Sequence, residues 1–202
     1  MSKYLVWGIG LVIIAVTAYS LMTSGEDPEV YRERIQKERM EKDEFLRNST
    51  GSPFKNKRFT GLKYFEPDLD YKVMAKVEKI ESRDYMNVPT SDGKAERYLK
   101  FAYAIFDLKG QRLKMLLLKK MGMGSASIIF TAFADDTSAD TTYGGGRYLD
   151  LELKNARQIE LDFNKAYNPY CDYDPQFSCP LPPRENVLPI AIEAGEKTYN
   201  TD

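Results

Sequence analysis

Residues 99–118 read LKFAYAIFDLKGQRLKMLLL, and this stretch decides the fold. Apolar side chains occupy alternate positions over residues 99–105 and again over residues 113–117. A period of two is typical of half-buried β-strands. The sequence DLKG at residues 107–110 lies between them and is a turn signal. The stretch therefore predicts a β-hairpin.

The same alternation extends to both sides of the hairpin. It predicts further strands at residues 71–77, 127–133, 157–163 and 187–193. Successive strands without interleaved helices indicate an antiparallel sheet. We therefore predict a mainly β domain, of the β-rich α+β class, over residues 51–202. Its architecture is expected to be a sandwich or a partly open barrel.

A charged segment precedes this domain and is assigned to residues 25–50. Asp27 can cap a helix, and Pro28 is suited to the first helical position. Acidic residues stand four places before basic ones along the segment, which supports a continuous helix. The apolar stripe is ragged. The helix is expected to lie loosely on the domain in solvent, or to serve as a stalk or a partner-binding surface.

The first 24 residues are predicted to be a membrane segment. From Tyr4 to Met22 the chain carries no charge over a length that can span a bilayer as a helix. Lys3 precedes the segment and acidic residues follow it, so the domain is expected on the outer side of a bacterial inner membrane. The alternative is a signal peptide, cleaved near Ala18 or Ser20, which would leave a secreted domain.

Composition removes several classes of function. The formal net charge is −1, which gives no general attraction to nucleic acid. The chain has no histidine, so catalytic triads that need one are excluded, and two cysteines make a zinc site improbable. The acids Asp135, Asp136 and Asp140 lack the spacing of a calcium loop and are expected to be solvated. No metal and no cofactor are predicted.

The carboxy-terminal third holds the candidate site. Three glycines precede Arg147 and could let backbone amides and the guanidinium approach an anion, although a tight turn with a structural ion pair is an alternative. Asx residues and tyrosines follow, as in a small polar-ligand pocket, but Asx side chains also hold turns. The candidate ligand-binding residues are Tyr143, Arg147, Asp162, Asn164, Tyr167 and Asn168. Asp162 with Arg147 is a weak catalytic candidate.

Two cysteines, Cys171 and Cys179, stand eight positions apart. In a cytosolic protein this spacing would suggest thiols or a metal site. Because export is predicted, a structural disulfide is the leading interpretation. It would pin the proline-rich segment that begins at Cys179 against the domain.

Three strings in this region resemble a known family: GGGRYLDL at 144–151, DFNKAYNPYC at 162–171 and CPLPPREN at 179–186. They are similar to an uncharacterised bacterial family described only as a domain of unknown function, whose members are frequently exported. The resemblance spans roughly residues 40–200 and implies no established activity.

The function expected from the sequence is therefore modest. We expect a membrane-tethered or exported envelope domain that binds a small polar ligand or an envelope protein without catalysis. The alternative is a histidine-free envelope hydrolase that uses Asp162 and Arg147.

Overall fold

The computed structural model describes residues 26–55, 57–120, 128–153 and 157–199. The predicted membrane segment from Tyr4 to Met22 lies outside these residues. Among the helices within them, none combines the length and apolar character needed to cross a membrane.

Seven antiparallel strands form one sheet, which confirms the predicted mainly β, antiparallel class. The spatial order is β6-β5-β4-β3-β1-β7, and β2 pairs with β3 beyond this path. The strands are β1 (Lys72–Lys79), β2 (Tyr85–Pro89), β3 (Ala95–Leu108), β4 (Gln111–Lys120), β5 (Ile128–Phe133), β6 (Arg147–Glu152) and β7 (Gln158–Asp162).

The sheet curls into a nearly closed barrel because the chain beyond β7 returns to β6. The amide of Tyr148 donates to the carbonyl of Tyr167 at 2.8 Å, and the amide of Tyr167 donates back at 3.1 Å. This antiparallel bridge joins the two ends of the strand order. The interior is a single large apolar cluster that draws on β1 and on β3 to β7.

The central hairpin of β3 and β4 confirms the predicted turn, but the inward-facing side of β3 differs from the expected one. Ala102 and Ala104 are fully buried and Phe106 nearly so. Phe101 precedes Ala102, Tyr103 stands between the two alanines, and both aromatic residues are only partly buried. Their rings lie under lysine side chains of β4, with distances from nitrogen to ring centroid of 4.2 and 3.7 Å. The two alanines therefore face the barrel interior, while Tyr103 packs against a separate apolar cluster.

The predicted strand at residues 187–193 is wrong. The segment is irregular, although Leu188, Ile190 and Ile192 are buried. Pro189 has no amide hydrogen, so it cannot complete a strand ladder. The alternating pattern here reflects burial of side chains, and the backbone of Val187 forms an isolated bridge with Ala134 rather than a strand ladder.

The amino-terminal helix, α1, runs from Pro28 to Asn48 and begins as predicted. The carboxylate of Asp27 accepts hydrogen bonds from the next free amides, at 2.8 and 3.3 Å. Tyr31, Ile35 and Leu46 are each 1% exposed, so the helix is packed on the domain rather than lying loosely in solvent. A short second helix, α2, spans Tyr170–Tyr173, and 3-10 turns occupy Leu69–Tyr71, Phe163–Lys165 and Arg184–Asn186.

Candidate functional site

A cleft of about 130 Å³ lies where α1 packs against the 3-10 turn that follows β7. Its wall contains the charged residues Glu38, Arg39, Lys42 and Lys165 together with Ile35, Tyr64, Asn164, Ala166 and Tyr167. Three of the four charged side chains are cationic. The electrostatic character of the cleft therefore depends on how each cation is compensated.

Arg39 has no carboxylate partner within ion-pair distance among the residues that the structure describes. Its guanidinium donates to the carbonyl oxygen of Phe65 at 2.9 Å and to that of Asn164 at 3.4 Å. It also lies over the ring of Tyr64, 4.4 Å from the centroid. Its Nε and the hydroxyl of Tyr64 are buried without hydrogen-bond partners in the described part of the chain. Burial lowers the pKa of the guanidinium, because the carboxylates of Glu66 and Asp162 lie beyond ion-pair distance and offset its desolvation only in part.

Lys42 is compensated by an ion pair with a buried carboxylate. Its Nζ lies 2.8 Å from Oε2 of Glu196, a side chain that is 0% exposed. Glu196 also accepts hydrogen bonds from the hydroxyl of Tyr173 and from the amide of Asn168. Burial raises the pKa of the Glu196 carboxyl. This network holds the end of the chain beneath α1.

Lys165 is compensated as well. Its Nζ lies 2.9 Å from the carboxylate of Glu38, which is also 3.3 Å from Arg34. The positive charge of the cleft that remains unpaired is consequently that of Arg39.

Arg147, a predicted ligand-binding residue, lies in the core. Its side chain is 1% exposed and donates to a carboxylate oxygen of Asp135 at 2.8 Å. It also donates to the carbonyls of Ile192, at 2.9 Å, and Ala194. Burial lowers the pKa of this guanidinium too. The structural ion pair weighed from the sequence is the arrangement observed, and Asp135 is buried rather than solvated as expected.

Asp162 is also enclosed and holds a turn. Its Oδ1 accepts from the hydroxyl of Tyr31 at 2.8 Å and from the amide of Asn164 at 3.1 Å. Asn164 in turn exchanges two hydrogen bonds with the backbone of Asp68, at 2.7 and 2.9 Å. These contacts fix the segment that forms one wall of the cleft.

The remaining predicted residues lie in different places. Tyr167 lines the cleft with Asn164, and its hydroxyl donates to Asp150 at 2.8 Å. Asn168 is fully buried, and its amide donates to Asp172 at 2.7 Å. Tyr143 lies beside the cysteines. The structure thus brings only two of the six residues into the cleft.

The predicted disulfide is not supported, because Cys171 and Cys179 are free thiols. The backbone amide of Cys171 donates to the sulfur of Cys179 at 3.2 Å. This hydrogen bond brings the two cysteines into contact without a covalent bond between their sulfurs.

A family model described as "Protein of unknown function (DUF1684)" matches residues 57–197. The chain belongs to the DUF1684 family. This confirms the resemblance to an uncharacterised family.

One solved structure adds to the comparison. The solution NMR structure of an uncharacterised protein of Haloarcula marismortui is 39% identical to this chain, with a TM-score of 0.66. The match covers 84% of this chain and 95% of that one. No curated protein matches the chain.

The DUF1684 match begins after α1, so Arg39 and Lys42 lie outside the matched residues. Sequence reasoning missed both because the helix was interpreted as solvated. A usable signal was present: Tyr31, Ile35, Arg39, Lys42 and Leu46 recur every three or four positions, so they share one helix face. Two cations on the face that packs against the domain indicate a polar cleft beneath the helix.

The DUF1684 domain contains no group of three or more cysteine, aspartate or glutamate side chains arranged to hold a metal ion, as far as the described residues show. The cleft offers one cation without an ion-pair partner, two phenol rings and amide groups. Such a set can bind an anion by charge and by forked hydrogen bonds.

Proposed function

We propose that this chain is a membrane-tethered or exported bacterial envelope domain that binds a small polar anion without catalysis. The binding site is the cleft between α1 and residues 164–167. The observation that carries the proposal is the guanidinium of Arg39, which is partly desolvated and lacks a carboxylate partner in the described structure.

Charge accounting favours an anion over a neutral ligand. Lys42 and Lys165 are each paired with a glutamate, whereas Arg39 contacts only carbonyl oxygens and a ring. A carboxylate placed beside Arg39 would offset its desolvation and could accept two parallel hydrogen bonds. The volume of about 130 Å³ suits a small molecule better than a peptide segment.

We assign no catalytic role to Asp162 with Arg147. Each side chain is at most 5% exposed; Arg147 pairs with Asp135, and Oδ1 of Asp162 accepts from Tyr31 and Asn164. The hydrolase alternative therefore lacks a supporting observation, and binding is preferred.

The envelope location rests on the uncharged segment from Tyr4 to Met22 and on the charges that flank it. We expect the protein in the membrane fraction, with its domain accessible from the outer side. Mass spectrometry of the mature amino terminus distinguishes a retained anchor from cleavage near Ala18 or Ser20. Recovery of full-length protein in the soluble cytoplasmic fraction would contradict this part of the proposal.

The binding proposal is tested by thermal unfolding of the full-length protein with acetate, succinate, glutamate and phosphate, and with neutral glucose. We expect one or more of the anions to raise the unfolding temperature and glucose to have no effect. A ligand at 100 times its dissociation constant stabilises by about 2.7 kcal/mol. Sodium chloride at equal ionic strength controls for screening.

Two variants locate the effect. Arg39→Gln should abolish the anion-dependent rise. Arg32→Gln should retain it, since Arg32 is on the same helix but its side chain is 41% exposed and pairs with Glu29. An unchanged anion effect in Arg39→Gln, or the absence of any anion effect in the natural protein, would overturn the proposal.

A further inference from the structure

The cysteine pair has a geometry that the anion cleft does not use. Cys171 is half-buried and Cys179 is buried, at 6% exposure. The amide of Cys171 donates to the sulfur of Cys179 at 3.2 Å, so the two cysteines are in contact. Residues 175–178 between them form an exposed loop. Cys171 is therefore the more exposed residue of the pair and Cys179 the more buried one.

Polar groups lie around the cysteine pair. The hydroxyl of Tyr143 donates to the sulfur of Cys171 at 3.6 Å, and the hydroxyl of Ser91 accepts from the amide of Cys179 at 3.1 Å. Contact with Cys179, followed by that with Tyr143, lowers the pKa of the Cys171 thiol. Contact with Cys171, together with burial, raises the pKa of Cys179. Cys171 is therefore the more readily ionised thiol of the pair.

The glycine run explains how Tyr143 reaches this sulfur. A Cβ atom on Gly145 would lie 2.3 Å from Cε1 and 3.0 Å from the hydroxyl oxygen of Tyr143. The ring can occupy its position because residue 145 has no side chain. Gly146 is equally confined, since a Cβ there would lie 2.3 Å from Cγ of Pro182, close to Cys179 in the chain. The glycine motif and the proline-rich motif therefore meet at the cysteine pair.

Cys179 packs in an apolar cluster with Ala132 and Tyr148, as a buried cysteine normally does. Cys171 is only partly buried, and its sulfur accepts a hydrogen bond from Tyr143. This division between an attacking thiol and a resolving thiol is the arrangement that thiol–disulfide exchange needs.

We propose that Cys171 and Cys179 form a thiol–disulfide exchange site, with Cys171 as the attacking group and Cys179 as the resolving group. The co-reactant is a disulfide, either a small molecule or an exposed disulfide of another protein. The Cys171 thiolate attacks one sulfur of that disulfide, forms a mixed disulfide, and releases the other sulfur as a thiolate that takes up a proton. Cys179 loses its proton, attacks the sulfur of Cys171, and releases the second thiol. Two protein thiols are oxidised and one disulfide is reduced.

The test uses reduced full-length protein and oxidised glutathione, with acid quenching, alkylation of the remaining thiols and intact-mass measurement. The natural protein should form the internal disulfide. Cys179→Ser should stop at a mixed disulfide between Cys171 and glutathione, because the resolving thiol is missing. Cys171→Ser should react at least tenfold more slowly than Cys179→Ser.

Two tyrosine variants test whether the reactivity of Cys171 depends on its hydrogen bond or only on its exposure. Tyr143→Phe removes the donor at 3.6 Å and should slow the formation of the mixed disulfide in the Cys179→Ser background severalfold. Tyr170→Phe is the control, since Tyr170 packs nearby through its ring and should leave the rate unchanged. Circular dichroism establishes that each variant is folded.

Three results would overturn the proposal. One is reaction of Cys171 only at the rate at which the protein unfolds, measured in parallel by unfolding kinetics. Another is equal reactivity of the two single-cysteine variants. The third is an internal disulfide that does not form in the folded natural protein. None of these results depends on Arg39, so failure here leaves the anion proposal standing.

Discussion

The clearest residue-scale feature is that Arg147, the largest of the fully buried side chains in the described structure, is paired inside the core. Arg147 joins Asp135 and the backbone carbonyls of residues 192 and 194. Desolvation of such a group is offset only while every partner is present. Arg147 therefore acts as an internal clamp that holds the irregular segment 187–196 against the barrel.

Substitution of Arg147 should strongly destabilise the fold. We expect Arg147→Met to lower the free energy of unfolding by about 3–5 kcal/mol, because it leaves the carboxylate of Asp135 buried without a counter-charge. Urea unfolding followed by circular dichroism measures the change. Arg112→Met is the matched control, since Arg112 is 70% exposed and lies 3.9 Å from its partner; it should change stability by less than about 0.5 kcal/mol.

A double substitution distinguishes an unpaired charge from lost packing. Arg147→Met combined with Asp135→Asn should recover part of the loss, because no lone charge remains in the core. Equal stability of Arg147→Met and the natural protein would contradict the clamp.

At the scale of elements, α1 is an integral part of the fold. Tyr31, Ile35 and Leu46 are buried beneath it, and the hydroxyl of Tyr31 reaches Asp162 on the other side of the contact. The helix thereby fixes the turn that follows β7 and forms half of the anion cleft. The charged outer face suggested a loosely held helix, but three buried residues suffice to dock it.

The docking can be measured by truncating one buried and one exposed residue of α1. Ile35→Ala should lower the free energy of unfolding by about 2–5 kcal/mol, because it creates a cavity at the contact. Met40→Ala should change it by less than about 0.5 kcal/mol, since Met40 is 66% exposed. Chemical denaturation of both variants provides the comparison. A small effect at Ile35 would mean that the helix is not docked in solution.

The elements also show what a single sequence can predict. Residues 71–77 and the 107–110 turn were predictable, because alternation and turn formers act over a few positions. The strand predicted at residues 187–193 was wrong because their side chains alternate in burial while Pro189 prevents a continuous strand ladder. The ion pair of Lys42 could not be predicted from the sequence, since its partner, Glu196, is 154 positions away. The structural ion pair of Arg147 was one of two interpretations of the sequence, beside ligand binding.

At the scale of the whole molecule, the barrel is nearly closed by the bridge of Tyr148 to Tyr167. A sheet left open at β6 would present unpaired backbone groups. The return of the chain after β7 satisfies them with two hydrogen bonds and covers the edge. Closure therefore depends on the same segment that lines the cleft.

Hydrogen exchange tests this closure. The amides of Tyr148 and Tyr167 should exchange as slowly as those of the central strands, because they open only with the barrel. Amides of residues 81–84, an exposed stretch between β1 and β2, should exchange rapidly and serve as the reference. Rapid exchange at Tyr148 and Tyr167 would show that the sheet stays open at this end.

The ion pair of Lys42 with Glu196 bears on how the protein is made. Synthesis proceeds from the amino terminus, and domains fold as their segments emerge. Glu196 is synthesised 154 residues after its partner Lys42. The buried pair, and with it the packing of α1 on the domain, can form only after Glu196 has been synthesised. We therefore expect a nascent chain that ends before residue 196 to remain sensitive to protease.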